Sequence, residues 1–355
     1  MKVALAIFLW LLAGCRSAAP PDSVDAAVDA AIVEDLSAED DDHDLADTST
    51  DMAHLAGPQR LSETGLYSDI AAHALGPDVI PYAPRYELWS DGAEKSRWFL
   101  LPPGAKIDTG DMDNWRFPVG TKVWKEFRKS GKRLETRLLQ KLLDSPLGWY
   151  EISFVWNDME TEAYAAPLGL DDPRGESHWV PTQDECDRCH SGVADVLIGV
   201  SALQLSAPVN QPPDGGSPLV RLARAGSLSN PPAGDFEPPG AGVVKDALGY
   251  LHGNCAHCHR DEAPQASQVP LRLVVRTGDL SPEDTGVYNT SFNVKARHTL
   301  PGGVRTIITP GKPDQSQLWL RMGLRDFWAM PPVCSRVPDV AGLAIVRAWI
   351  QGLPP

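Results

Sequence analysis

Residues Val243 to His259 read VVKDALGYLHGNCAHCH. Val243, Val244, Ala247, Leu248 and Leu251 recur three and four positions apart, as one face of an amphipathic helix does. That helix is expected to run straight into Cys255-Ala256-His257-Cys258-His259. An earlier stretch, Cys186-Asp187-Arg188-Cys189-His190, repeats the same spacing. Two thiols three positions apart at a helix end match the two vinyl groups on one edge of a porphyrin, and the adjacent imidazole can reach the iron. Each stretch therefore predicts a covalently attached c-type haem. Cys186, Cys189, Cys255 and Cys258 would form the thioethers, and His190 and His259 would bind the two irons.

Three other uses of these cysteines compete with this one. Zinc accepts thiolate and imidazole, but the 65 residues between Cys189 and Cys255 far exceed a zinc-ribbon gap. A thioredoxin-like pair needs a βαβ setting, and no such alternation is visible. A disulfide across two residues is strained and leaves the histidine after each pair unexplained.

The last hundred residues read as a small haem domain. Val340, Leu343, Ile345, Val346, Trp349 and Ile350 predict a second amphipathic helix, stopped by Gly352, Pro354 and Pro355. Two such helices with a haem between them resemble the class I cytochrome c fold. Ile308 to Leu318, ITPGKPDQSQL, is also similar to bacterial cytochrome c domains. Between the helices lies Trp328-Ala329-Met330-Pro331-Pro332, where prolines stiffen the loop. Met330 is the expected distal ligand of the second haem, with Met322 as the alternative. No methionine follows His190 before Met322, which leaves His178, His252, His298, Met159 and Met112 as candidates for the first haem, His178 slightly ahead. Cys334 is either a redox-active thiol or a small buried residue near the haem.

Upstream, short runs suggest strands at Arg97–Leu101, Trp115–Pro118, Thr121–Phe127, Thr136–Leu143, Trp149–Trp156 and Glu162–Ala166, with turns such as Ser130-Gly131-Lys132 between them. Seven of the eleven tryptophans fall between Trp89 and Trp179. They are expected to fill a core and shield a neighbouring cofactor rather than line a sugar site. Trp89-Ser90-Asp91-Gly92-Ala93-Glu94-Lys95 could form a ligand loop but reads more readily as an Asp-Gly turn with a solvated face. The expected fold is α+β and multidomain, a β-rich, sandwich-like domain over 58–175 followed by mainly helical haem-binding parts over 176–241 and 242–355.

The 355 residues, 43% of them hydrophobic, suffice for such a body. The net charge of −15 argues against nucleic acid as a partner. Much of that charge is local: residues 17–59 hold twelve acids and no Lys or Arg. Setting those acids aside with Lys2 and Arg16 leaves 30 basic against 35 acidic residues. Residues 1–15, MKVALAIFLWLLAGC, have the charge and apolar run of a secretion signal. Leu12-Ala13-Gly14-Cys15 resembles the bacterial lipobox, which implies lipid on Cys15, and residues 16–57 read as a solvated acidic tether. The expected location is the bacterial cell envelope, lipid-anchored and facing the periplasm or cell surface.

The motifs in order, Leu61-Ser62-Glu63-Thr64-Gly65-Leu66-Tyr67, Leu88-Trp89-Ser90-Asp91-Gly92-Ala93, Phe117-Pro118-Val119-Gly120-Thr121, Leu134-Glu135-Thr136-Arg137-Leu138-Leu139 and the two Cys-x-x-Cys-His stretches, resemble a poorly characterised family of bacterial di-haem c-type cytochromes with a β-rich N-terminal part. The resemblance spans residues 60–353 and implies two covalent haems and an exported redox role with redox partner proteins. Electron transfer is the leading expectation. A peroxidase-type di-haem enzyme with an open site on the first haem, or an extracellular ligand-binding module with attached haems, are the alternatives.

Overall fold

Strand formation begins where the alternation is cleanest. Lys122–Lys129 (β5), KVWKEFRK, sends Val123, Lys125 and Phe127 to one side and Trp124 and Glu126 to the other. It pairs antiparallel with Lys132–Lys141 (β6) through Ser130 and Gly131, both at positive φ as a tight hairpin turn requires. Further strands at Tyr67–Asp69 (β1), Ala74–Leu75 (β2), Ile80–Tyr82 (β3), Glu94–Leu100 (β4), Trp149–Trp156 (β7), Ala163–Ala165 (β8), Leu170–Asp171 (β9) and Trp179–Val180 (β10) complete the β region. In this computed structural model, which describes residues 57–207, 215–264 and 266–354, β3 to β8 form one six-stranded antiparallel meander. β1–β2 and β9–β10 are two-stranded ribbons. The signal segment, Cys15 and the acidic tether lie outside the described residues.

The β region is thus a single large sheet with short ribbons rather than two stacked sheets. Trp115–Pro118, expected as a strand, makes only one isolated bridge, between Arg116 and Asp108. Pro118 cannot donate to a ladder, which limits pairing there.

Both faces of the sheet are covered, by different chemistry. On one, Leu61, Leu66 and Tyr67 close over Trp124, Leu138, Ile152, Phe154 and Trp156. On the other, Tyr82, Phe99, Val123 and Leu139 pack with Ile107, Trp115, Leu197 and Leu205 at one end only. The rest of that face carries Arg97, Lys125, Glu135, Arg137, Glu151 and Ser153. Trp115, Trp124 and Trp156 are buried core residues, as expected for most of the tryptophans, whereas Trp89 and Trp179 border a cavity.

Helices follow the sheet: Gln183–His190 (α1), Ala202–Leu205 (α2), Pro218–Arg224 (α3), Val243–Cys255 (α4), Gly286–Ser291 (α5), Gln317–Gly323 (α6) and Val340–Gly352 (α7). α4 and α7 match the two helices read from the sequence. They pack closely because Gly342 has no side chain: a Cβ there would lie 2.1 Å from Tyr250 Cζ. Their shared core includes Ala247, Leu248, Leu251, Val346, Trp349 and Ile350. On its other side α4 offers Gly249 and Gly253 to Tyr86, whose ring a Cβ on Gly249 would meet at 2.1 Å. That contact joins the C-terminal helices to the segment between β3 and β4, and the described residues fall in one compact unit. Among the described residues no helix is long and apolar enough to cross a membrane.

Candidate functional site

The first Cys-x-x-Cys-His stretch is helix α1 itself. Thr182 caps it, accepting from Glu185 N while the Glu185 carboxylate accepts from Thr182 N, a reciprocal box that fixes where so short a helix starts. Cys186, Cys189 and His190 all face one cavity of about 1250 Å³, counting its open mouth. Its floor is the charged half of the sheet, and Trp89, Trp179, Tyr86 and Cys334 contribute to its walls.

His190 is held by one nitrogen. Its Nδ1 lies 2.5 Å from the Val196 carbonyl oxygen, so Nδ1 carries the proton and Nε2 keeps its lone pair. Val196 has φ +52, a region β-branched residues rarely enter and one that costs about 1–3 kcal/mol. Adjacent contacts hold that conformation. Asp195 accepts from Lys141 Nζ at 2.8 Å, from Trp149 Nε1 at 3.0 Å and from Phe117 N at 2.5 Å, with Lys141 and Asp195 both buried. Burial lowers the His190 pKa to about 4, so the ring is neutral at pH 7. Nothing in the motif itself pointed to Lys141, Asp195 or Val196.

Three of the motif thiols are kept protonated. Burial raises Cys186 to about 12, with Glu151 adding to the shift. Cys255 also rises to about 12, by burial against the C-terminal core. Cys189 rises to about 12 through its hydrogen bond with Cys258 and then burial. Such thiols are poor thiolate nucleophiles, unlike a thioredoxin-type pair.

The two motifs meet. Ligand atoms of Cys189, His257 and Cys258 lie within 4.8 Å of one another, and Cys258 Sγ is 3.7 Å from the Arg188 carbonyl oxygen. A Cβ on Gly192 would sit 2.8 Å from the His257 carbonyl, so the chain leaving the first motif runs directly against the second. The long separation in sequence, which counted against a shared metal site, is closed by the fold. His257 Nδ1 and His259 Nδ1 are both buried without a hydrogen-bond partner among the described residues. Burial lowers the His259 pKa to about 4.

The candidate distal ligands fall in different places. Met322 is buried in the C-terminal core, where it acts as filler. Met330 is half-buried in a loop whose backbone N–H donates to the Arg321 carbonyl at 3.0 Å. His178 does border the first cavity, but its Nε2 is 2.8 Å from Glu135 Oε2. His252 Nδ1 accepts from Val275 N at 3.2 Å, and Met159 is exposed. Cys334 borders the cavity of the first motif, where burial raises its thiol to about 11.

Asp91 differs from the expected solvated turn. The turn forms, with Gly92 at φ +76, but Asp91 is only 6% exposed. It accepts from Arg336 N, Val337 N and Ser335 Oγ, each at 2.9–3.0 Å, and Trp89 Nε1 donates to the Val337 carbonyl. The loop carrying Cys334 is thereby pinned beside the cavity. An Asp-Gly pair in sequence signals a turn and nothing more, so this role was not visible.

No family model, no curated protein and no solved structure matches the chain.

Proposed function

We propose that this chain is an exported, lipid-anchored di-haem c-type cytochrome that passes electrons between redox partner proteins in the bacterial cell envelope. The observation that carries it is His190: Nδ1 tied to a carbonyl, Nε2 left to bind a metal, and two protonated thiols beside it on the same cavity. These residues fit the group. Cys186 and Cys189 would form the thioethers and His190 would bind iron, while the Val196 carbonyl keeps the imidazole in the required tautomer and adds to its basicity. Cys255, Cys258, His259 and Met330 would do the same for a second haem, in the part resembling class I cytochrome c. A bound haem supplies one-electron redox chemistry. The chain's share is to hold each imidazole, exclude water with Trp89 and Trp179, and keep the two motifs in contact through Cys189 and Cys258. Cys15 would carry the lipid, and the acidic tether would give the body reach.

A pyridine haemochrome count on chain produced in a host with haem c maturation tests this, and two haems per chain are expected. A second reading is favoured by one observation, the convergence of Cys189, His257 and Cys258, which offers three donors to a zinc-like ion. Elemental analysis separates the two: one zinc per chain with no haemochrome would replace the cytochrome with a metal site.

A further inference from the structure

The floor of the first cavity is charged in an ordered way. Arg97 on β4 is directly opposite Lys125 on β5, Lys125 is opposite Arg137 on β6, and Arg137 is opposite Ser153 on β7. Three basic side chains therefore stand side by side on one sheet face, about 5 Å apart at Cβ, where like charges repel. A protein surface facing water tolerates such a row. Lining a cavity, with Arg97 buried and Lys125 and Arg137 half-buried, it is eased by a bound anion.

The carboxylates nearby do not supply enough. Glu135 is taken by Arg137, Ser153 and His178. Glu87 is shared by Lys95 and Arg97 at 3.4 and 3.2 Å and is half exposed to water. Asp91 is occupied by backbone N–H groups. Burial and the neighbouring Asp187 raise Glu151 to about 7, so it is only partly charged at neutral pH. Lys125 is left over. Its Nζ makes no hydrogen bond or ion pair among the described residues, and its recorded contact is the Phe127 ring, 4.8 Å away at the centroid. Burial and repulsion from Arg97 and Arg137 push its pKa well down.

We propose that Arg97, Lys125 and Arg137 form a carboxylate-binding row that receives the propionate groups of the haem attached at Cys186 and Cys189. This rests on the cytochrome reading given above. Cys186 reaches the sheet at Glu151 on β7. At about 4.8 Å per strand, Lys125 and Arg97 lie roughly 10 and 14 Å across the sheet from β7. A tetrapyrrole has its vinyl groups on one edge and its two propionates on the other. With the vinyl edge fixed at α1, the carboxylates fall towards β5 and β4, where Lys125 has no carboxylate partner and an arriving carboxylate would favour its protonated form. A free oxyanion would satisfy the same cations, and the test must tell these sources apart.

Full-length wild type, Lys125→Met, Lys125→Arg and the exposed-site control Lys106→Met would be matured with haem. Each is read by haemochrome count, by the resonance Raman propionate-bending band and by potentiometric titration. Lys125→Met is expected to shift the propionate band of one haem population and to lower one potential, through about a tenfold change in the ferric/ferrous equilibrium, or about 59 mV. Lys125→Arg should restore both, and Lys106→Met should change neither. Two haems with unchanged band and potential in Lys125→Met would overturn the assignment while leaving the cytochrome intact. So would a shift that appears only when sulfate or acetate is present, which would make the row a site for free anions. A wild-type chain without haem overturns both readings, and the haem count identifies that case. Should Lys125→Met fail to accumulate, wild type is compared native and urea-unfolded, and an unchanged propionate band on unfolding refutes the contact.

Discussion

Glu135 is the one carboxylate at full burial in the cavity floor, and replacing it with glutamine tests how the charged face is held together. It is 0% exposed. Oε1 accepts from Arg137 Nε at 2.6 Å and Ser153 Oγ at 2.7 Å, and Oε2 from Arg137 Nη2 at 3.0 Å and His178 Nε2 at 2.8 Å. Burial raises its pKa, but Arg137 and the hydrogen bonds from His178 and Arg137 outweigh it and hold the carboxyl at about 2, against an ordinary 4.5. At 1.36 kcal/mol per pKa unit this is about 3 kcal/mol of folding stability. The figure agrees with the roughly 3–5 kcal/mol lost when one partner of a buried ion pair is removed. Because the folded pKa is depressed, the contribution is complete above pH 4.5 and is lost as pH falls towards 2. Glu135→Gln should therefore cost about 3 kcal/mol at pH 7, seen as a lower urea midpoint at unchanged slope. At pH 3 the penalty should be less than half as large. A penalty under about 1 kcal/mol at pH 7, or one that does not shrink on acidification, would refute the ion-pair account of this face.

The remaining expectations concern the haem motifs and their surroundings. Cys186→Ala/Cys189→Ala and Cys255→Ala/Cys258→Ala should each remove one haem of two by haemochrome; either double variant keeping both would contradict the attachment assignment. Met330→Ala should abolish the weak far-red band of thioether-ligated ferric haem. Met322→Ala should leave that band in place and instead cost about 2–5 kcal/mol of stability, since Met322 is core. Glu151 has its pKa raised to about 7, chiefly by burial, so the wild-type fold loses about 3 kcal/mol as pH rises from 4.5 to 7. Glu151→Gln should match wild type at pH 4 and exceed it at pH 8; equal midpoints at both pH values would show the carboxyl to be solvated.

Period and turn chemistry carried most of the β region and the C-terminal helices. The alternation in KVWKEFRK and the Ser130-Gly131 turn placed β5 and β6, and the spacing of Val340 to Ile350 placed α7. Pairing register was not legible, and the cationic row depends on it entirely. Arg97, Lys125 and Arg137 each read as ordinary alternating polar positions of a half-solvated strand. They become neighbours only when three strands align, and they line a cavity only because α1 and Cys334 border the same face. Val196 was equally hidden. No residue type announces a carbonyl that will orient an imidazole, and the clue, a valine at positive φ held by the Lys141–Asp195 pair, exists only in three dimensions.

The meeting of the two motifs makes the rival occupants mutually exclusive. A thiol consumed in a thioether has no lone pair of thiolate character to give to zinc, so Cys189 and Cys258 cannot serve both a pair of haems and the three-donor cluster with His257. The choice would be made when the chain matures and not by any later equilibrium. The thiols bear on which outcome the fold permits. Cys186 and Cys255, which stand outside the three-donor cluster, are held protonated at about 12 by burial and have no role in a zinc site at Cys189. Attachment of two haems uses all four thiols and both terminal histidines, whereas the metal site leaves His190, already oriented by Val196, facing a cavity with nothing to bind. Haem attachment would thus give a role to the oriented His190 and to Lys125 together, whereas zinc would account for the cluster alone.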